Sequence, residues 1–164
     1  MHLSKYTDED FPILDKWVTS AELLFLFAGS NWTYPLTMEA IHDYQLANPE
    51  KQSYLLYNDE NEAIAFGELI SGGDHAPRLG RLLVGLENNR GKGYGKILIQ
   101  QLIDESRKVN PQKFIHLFVL EDNYPARKCY ENLGFQFDQG VNLPLLNADG
   151  VEFIAKRMTL FFEN

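Results

Sequence analysis

A glycine-rich segment between a predicted strand and a predicted helix constrains this chain more than any other feature. Residues 78–84 are rich in leucine and valine and predict a strand, and residues 94 to about 109 have the spacing of an amphipathic helix. Residues 90–96, between them, read RGKGYGK. Glycines let a backbone approach a ligand closely, and a helix N-terminus adds partial positive charge to that of Arg90, Lys92 and Lys96. The segment therefore predicts a site for a phosphate or pyrophosphate group.

Two common phosphate-binding motifs do not describe this segment. A Walker loop, G-x-x-x-x-G-K-[ST], fails because five residues separate the glycines here and no hydroxyl residue follows Lys92. The dinucleotide fingerprint is only partly met by residues 91–95, and no strand with an acidic end follows at the expected distance. A third pattern, R-x-x-G-x-G, is met by Arg90, Gly93 and Gly95.

Length and cysteine content predict one globular domain, residues 1–164, in a reducing compartment. An apolar fraction of 45% is enough for a core. Cys129 is the only cysteine, so the chain has no internal disulfide and no cysteine cluster for a metal. The N-terminus lacks the apolar region of a signal peptide, and the longest apolar run, residues 23–28, is far shorter than the ~20 residues of a membrane span. We expect a cytoplasmic protein with no metal and no membrane partner.

Charge is distributed unevenly along the chain. The formal net charge of −8 argues against binding to nucleic acid. Residues 1–77 hold three basic and thirteen acidic groups, whereas residues 78–164 hold twelve basic and ten acidic groups. The asymmetry has two interpretations: an acidic surface that keeps the domain soluble, or two ligand surfaces of opposite preference.

The first third of the chain predicts helices. Residues 8–28 have helical spacing, with a second cap at Ser20 and a stop at Gly29. A loop with two aromatic residues follows, and Thr37 then caps a helix over residues 38–46.

The remainder alternates between strands and helices. Residues 52–57 and 62–70 predict a hairpin, and further strands are predicted at residues 78–84, 114–120, 135–137 and 151–161. Helices are predicted at residues 94–109 and 124–132. This order favours an α/β, three-layer arrangement in which a mixed sheet has helices on both faces.

A second motif follows about thirty residues after the glycine-rich segment. Residues 123–135 read NYPARKCYENLGF and match N-x-x-A-x-x-x-Y-x-x-x-G-F at every fixed position. With R-x-x-G-x-G before it and a strand between the two, the chain resembles the GNAT superfamily of acyl-CoA-dependent N-acyltransferases over about residues 50–137. The resemblance implies a GNAT-type fold with a mixed central sheet of six to seven strands. It also implies acetyl-CoA as co-substrate and an amine acceptor without a metal, and a homodimer is an option because many relatives dimerise.

The resemblance also assigns residues to the co-substrate. The backbone of the predicted strand end would bind the pantetheine arm, and the glycine-rich segment would hold the pyrophosphate. Asn123 would contact the pantetheine, a role that is compatible with simple capping of the following helix. The residues expected to bind acetyl-CoA are Leu83, Val84, Arg90, Gly91, Lys92, Gly93, Tyr94, Gly95, Lys96, Asn123 and Ala126.

Catalysis requires an acid and a base. By resemblance, Tyr130 protonates the departing thiolate; the alternative is a half-buried core tyrosine. Glu68 is the first candidate base, because it stands among apolar residues of one strand face. The alternative interpretation is an edge-strand residue that pairs with a surface cation. His116 is the second candidate. Some relatives that acetylate protein N-termini carry a glutamate where this chain has Phe118, so the resemblance does not supply their base here.

The acceptor site is expected near Phe25, Trp32, Tyr34 and Glu68, together with the segment 143–149. The aromatic rings would contact a cationic amine or simply cover the core. The acidic half of the chain suits a small cationic amine as acceptor. A protein N-terminus or lysine, and a non-catalytic acyl-CoA sensor, are the alternatives.

Overall fold

The structure, a computed structural model, describes residues 1–109 and 111–163. Its strands are β1 (His2–Lys5), β2 (Lys51–Tyr57), β3 (Ala63–Ile70), β4 (Arg78–Val84), β5 (Phe114–Leu120), β6 (Gln136–Leu146) and β7 (Glu152–Phe161). Its α-helices are α1 (Phe11–Trp17), α2 (Ala21–Ala28), α3 (Met38–Ala47), α4 (Tyr94–Val109) and α5 (Tyr124–Asn132). Among these described helices, none has the length and apolar character required to cross a membrane.

The strands form one mixed sheet, which confirms the predicted fold class. Their order is β1-β2-β3-β4-β5-β7-β6. β4 and β5 run parallel, and the other neighbouring pairs are antiparallel. Because α4 connects the parallel pair, the segment from β4 to β5 is a crossover unit of the kind that places a ligand at the strand ends.

Two apolar clusters, one on each face of the sheet, make up the core. The first packs α4 and α5 against the sheet and includes Leu98, Leu102 and Leu117. The second packs α1, α2 and α3 against the other face and includes Leu14 and Phe66. Helices therefore cover both faces, as the order of predicted elements required.

Local capping signals set most of the helix boundaries. The Ser20 hydroxyl accepts a hydrogen bond from the Leu23 backbone N–H at 3.1 Å, and Thr37 caps α3 in the same way. Gly29 ends α2 with a positive φ of 66°. The predicted helical region 8–28 is divided into a 3₁₀ turn, α1 and α2.

Two strands differ from the sequence-based expectation. β1 was not predicted, because four mostly exposed residues give no clear alternation and the strand is defined by pairing with β2. β6 extends to Leu146 rather than ending at Phe137. Its polar middle is irregular in register, and pairing with β7 resumes at Asn142.

β4 contains a bulge, and the strand separates from β5 soon after the position where β4 and β5 first pair. The bulge follows from the register with β3, where Glu68 lies opposite Gly80 but Phe66 lies opposite Leu83. Arg81 lies in the bulge with φ of 47°. β4 and β5 pair only at Arg78–His116 and the next position, so the rest of β4 diverges from β5 and leaves a gap in the sheet.

Candidate functional site

The gap between β4 and β5 opens into a cavity of about 670 Å³. Its walls come from both strands, the start of α4, one side of α5, α2 with the following loop, and β6. Arg90 and Gly95 line one part of it, and Lys51, Arg78 and Phe118 line another. Arg78 begins β4 and the loop of Arg90 follows its last residue, so about 20 Å of strand separates the two parts.

The glycine-rich loop is shaped by two residues with positive φ, Gly91 at 74° and Gly93 at 85°. A residue with a Cβ rarely adopts this conformation, so the loop path depends on glycine at these positions. The Ile97 N–H makes an α-helical bond to the Gly93 carbonyl at 3.2 Å. The N–H groups that precede it, at residues 94–96, have no intrahelical acceptor and form the positive end of α4.

Arg90 fixes this loop to the end of β4. Its guanidinium donates hydrogen bonds to the carbonyl oxygens of Val84 and Gly85, each at 3.2 Å. Two N–H donors of Arg90 are thus engaged by backbone carbonyls, while the positive charge of the side chain lies at the cavity wall. The loop therefore offers an anion site that combines backbone N–H groups, a helix terminus and a fixed cation.

The cavity gathers about half of the predicted co-substrate residues. Those that line it are Leu83, Val84, Arg90, Gly95, Asn123 and Ala126. The others belong to the loop and the first turn of α4 but do not line the cavity: Gly91, Lys92, Gly93, Tyr94 and Lys96.

The second motif places Asn123 and Tyr130 on the cavity side of α5. The Asn123 carboxamide oxygen accepts a hydrogen bond from the Ala126 N–H at 3.4 Å, which confirms Asn123 as the helix cap. Tyr130 is 9% exposed and packs against Phe135. Burial, with a smaller contribution from Cys129, raises the pKa of Tyr130 well above its usual range. Its hydroxyl therefore keeps its proton at neutral and mildly alkaline pH.

Glu68 does not line the cavity, in contrast to the expectation for a base or acceptor ligand. It is fully buried at 0% exposure. Arg81 donates to its Oε1 at 2.8 Å, and the Tyr44 hydroxyl lies 3.1 and 3.0 Å from its two oxygens. The alternative interpretation, pairing with a cation, fits this geometry, although the pair is buried rather than on the surface.

Three cations surround that single carboxylate. Arg81 pairs with Glu68, whereas Lys51 lies 5.0 Å from the centre of the Tyr44 ring and Arg78 lies 5.4 Å from the centre of the Phe118 ring. Within residues 1–109 and 111–163, Lys51 and Arg78 form no salt bridge and no side-chain hydrogen bond. Burial is the main cause that lowers the pKa of Lys51 and of Arg78. The carboxylate of Glu68 opposes this shift in both groups, and the neighbouring guanidinium groups add to it.

His116 belongs to a hydrogen-bonded chain beside the cavity. Its Nδ1 lies 2.7 Å from the Thr159 hydroxyl, which donates its proton to Asp138. The hydroxyl must therefore accept from Nδ1–H, which leaves Nε2 with a free lone pair. Burial and the charge of Arg157 lower the pKa of His116, so the ring is neutral at pH 7. His116 does not line the cavity.

The predicted acceptor residues are separated by the fold. Phe25 lines the cavity and packs against Phe153, and the segment 143–149 contributes two leucines to the wall. Trp32 is buried against Tyr44 and does not line the cavity. Tyr34 is exposed, and its hydroxyl donates to the Thr19 carbonyl at 3.2 Å.

Several wall residues have no signal in the sequence. Lys51 and Arg78 belong to no motif, and only packing of the sheet brings them to one cavity; Cys129 lies within the second motif but at a position that the motif does not fix. In the described residues, no aspartate or glutamate lines the cavity. Those same residues contain no group of three His, Cys, Asp or Glu side chains suited to holding a metal.

The chain is similar to known acetyltransferases in both sequence and structure. A family model described as the acetyltransferase (GNAT) family matches residues 15–135. Spermidine N-acetyltransferase from Vibrio cholerae, solved with CoA and spermine, has a TM-score of 0.78 at 16% identity and covers 98% of this chain and 94% of its own. Aminoglycoside acetyltransferase AAC(6')-Ib, solved with coenzyme A, has a TM-score of 0.72 at 20% identity and covers 97% and 93%.

Proposed function

The chain belongs to the acetyltransferase (GNAT) family, and on that premise we propose that it transfers an acetyl group from acetyl-CoA to a primary amine. The observation that carries the proposal is the cavity between β4 and β5. It connects the anion site at the start of α4 with Tyr130, a protonated and buried hydroxyl. Both features are needed if a thioester is to be bound and its thiolate released.

The described residues fit acetyl-CoA. Its pyrophosphate requires an anion site, which the glycine-rich loop and the N-terminus of α4 supply. Its pantetheine arm carries amides, and the backbone of residues 80–84 has no strand partner on the β5 side. Unpaired N–H and C=O groups at a strand edge bind amides as an added strand would.

Acetyl-CoA supplies the thioester whose acetyl carbon the amine attacks. Tyr130 holds a proton in the cavity and donates it to the departing sulfur. An ammonium group has a pKa near ~10 and must lose its proton before it attacks. The cavity wall in the described residues has no carboxylate or histidine. We assign Glu68 the positioning of Arg81, and the amine loses its proton to solvent, with His116 as a candidate relay.

The acceptor is a primary amine. Which kind of primary amine it is depends on the residues that line the cavity. The solved relatives are named for spermidine and for an aminoglycoside. The acidic half of the chain suggested a small cationic amine, but its carboxylates do not reach the wall. A protein N-terminus or lysine is a second class of acceptor. A non-catalytic sensor is less well supported, because binding alone has no use for Tyr130.

The first experiment is thermal unfolding with and without acetyl-CoA. A ligand at 100 times its dissociation constant stabilises the folded state by about 2.7 kcal/mol, which raises the Tm by several degrees. Thiol release is then measured over a panel of amines, with an amine-free blank to subtract the reaction of Cys129. No thermal shift at saturating acetyl-CoA would contradict the co-substrate, and a shift without thiol release for any amine would favour the sensor.

A further inference from the structure

The described part of the cavity wall has one sign of charge. Four cations line it, namely Lys51, Arg78, Arg81 and Arg90, and no carboxylate does. Arg90 belongs to the loop that serves the pyrophosphate, so it is accounted for. The other three have no such explanation: Arg78 begins β4, Arg81 lies in the middle of β4, and Lys51 begins β2.

Glu68 is the carboxylate behind this part of the wall that forms a salt bridge with one of these cations, Arg81. Glu68 receives Arg81 at 2.8 Å and the Tyr44 hydroxyl on both oxygens. Its two oxygens are thus engaged by groups other than Lys51 and Arg78. Lys51 and Arg78 therefore remain as an excess of about two positive charges at the wall. Neither forms a hydrogen bond with another side chain within residues 1–109 and 111–163.

We propose that the acceptor amine carries an anionic group, and that Arg78 and Lys51 bind it. This rests on the proposed function, because it assigns the part of the cavity that the co-substrate leaves open. The pyrophosphate cannot be the anion in question, since its loop follows the other end of β4, about 20 Å of strand away. A second anion is required, and in a two-substrate enzyme the acceptor is the molecule that can supply it.

Geometry and charge both favour this acceptor class. Arg78 is held above the Phe118 ring at 5.4 Å, which leaves the edge of its planar guanidinium free to donate in pairs to a carboxylate or phosphate. Lys51 adds a point charge from the neighbouring part of the wall. A polyamine would bring further positive charge to these cations, and like charges in a partly desolvated site repel.

Matched acceptors test the proposal. Glycine is compared with glycinamide, and phosphoethanolamine with ethanolamine, so that each pair differs in the anionic group; spermidine is the polycation. We expect at least a tenfold higher kcat/KM for the anionic member of one pair. Which pair shows the preference identifies a carboxylate or a phosphate. A preference for the neutral amines or for spermidine would overturn the proposal.

Variants link that preference to the named residues. We expect Arg78→Met to lower the ratio of kcat/KM within the preferred pair by about tenfold to a hundredfold, and Arg78→Lys to retain part of it. Lys5→Gln, which removes an exposed cation on β1, is the matched control and should leave the ratio unchanged. An unchanged ratio in Arg78→Met would refute the role of Arg78.

Binding of product analogues gives a readout that does not need turnover. The N-acetylated members of the preferred pair (N-acetylglycine and N-acetylglycinamide, or N-acetylphosphoethanolamine and N-acetylethanolamine) are titrated into the CoA-loaded protein, and the anionic member is expected to bind at least tenfold more tightly. Equal affinities would overturn the proposal. The thermal shift by acetyl-CoA should be the same in Arg78→Met as in the parent chain. A parent chain with no such shift signals failure of the proposed function instead.

Discussion

The buried pair of Glu68 and Arg81 gives the prediction that separates a structural role from a catalytic one. The two changes to make are Glu68→Gln and Arg81→Met, singly and together. Glu68 is 0% exposed and the Arg81 side chain 8%, so neither charge has access to water that would replace its partner. Each single change therefore alters the net charge of this buried cluster by one and leaves one member of the pair without its hydrogen-bonded partner.

The magnitudes follow from that burial. Removal of one partner of a buried ion pair costs about 3–5 kcal/mol, so two independent losses would total about 6–10 kcal/mol. That sum approaches the whole stability of a typical domain, about 5–15 kcal/mol. The double variant keeps the net charge of the cluster that includes Lys51 and Arg78 unchanged, and the glutamine oxygen still accepts from Tyr44. We expect the double variant to lose only about 1–3 kcal/mol, the cost of an amide donor without a partner.

Urea unfolding at pH 7 measures the three free energies, and kcat/KM is measured for the same proteins. The single variants should lower the Tm by about 6–20 °C, and the double variant should recover most of this loss together with the activity. If Glu68 is the base, the double variant stays inactive however stable it is. Additive stability losses, or a Glu68→Gln variant with parental stability and no turnover, would refute the structural role.

Three further predictions follow from the loop and the tyrosines. Gly93→Val should abolish the binding of acetyl-CoA, measured by calorimetry, because the backbone φ at this position is 85°. The control Gly150→Val, with φ of 76° at an equally open site outside this loop, should bind acetyl-CoA normally. Equal affinities of the two variants would contradict the loop assignment. Tyr130→Phe should lower kcat about a hundredfold with little change in acetyl-CoA affinity, and an unaltered kcat would remove its role as acid. Burial raises the pKa of Tyr6, Tyr44 and Tyr130 in the folded state, so these tyrosines lose their protons at a lower pH in the unfolded chain. The free energy of unfolding should therefore fall above pH 10 by up to about 1.4 kcal/mol per pH unit for each tyrosine. A free energy of unfolding that stays constant in urea titrations at alkaline pH would contradict this prediction.

Local signals explain why most elements could be predicted. Ser20, Thr37 and Asn123 cap helices through hydrogen bonds that span three residues, which a sequence displays directly. β4, β5 and α5 have the predicted boundaries, because leucine-rich strands and a Pro-containing first turn are bounded by turn residues. β1 and the second half of β6 could not be predicted, since their pairing with β2 and β7 is non-local.

The residues of the candidate site likewise fall into those that a local sequence motif predicts and those that only the fold brings together. The loop of Gly91 and Gly93 and the position of Tyr130 follow from short motifs. Lys51 on β2 and Arg78 on β4 come together across the strand between them, β3, and neither residue has a feature in the sequence that predicts this. Charge counted over halves of the chain was similarly uninformative, because it does not distinguish exposed carboxylates from those near a cavity.

The pairing of β5 explains why the cavity is preformed. β5 pairs with β7 along its whole length, and β4 pairs with β3 on both sides of the bulge at Arg81. Closing the gap between β4 and β5 would break one of these ladders, and each lost backbone bond costs about 1 kcal/mol. The gap therefore persists, and its edge keeps backbone groups that must be satisfied by water or by a ligand. The same divergence that leaves these groups unpaired also separates the anion-binding loop, after the end of β4, from Arg78 at the start of β4. On the proposed function, this one irregular strand pair serves both substrates.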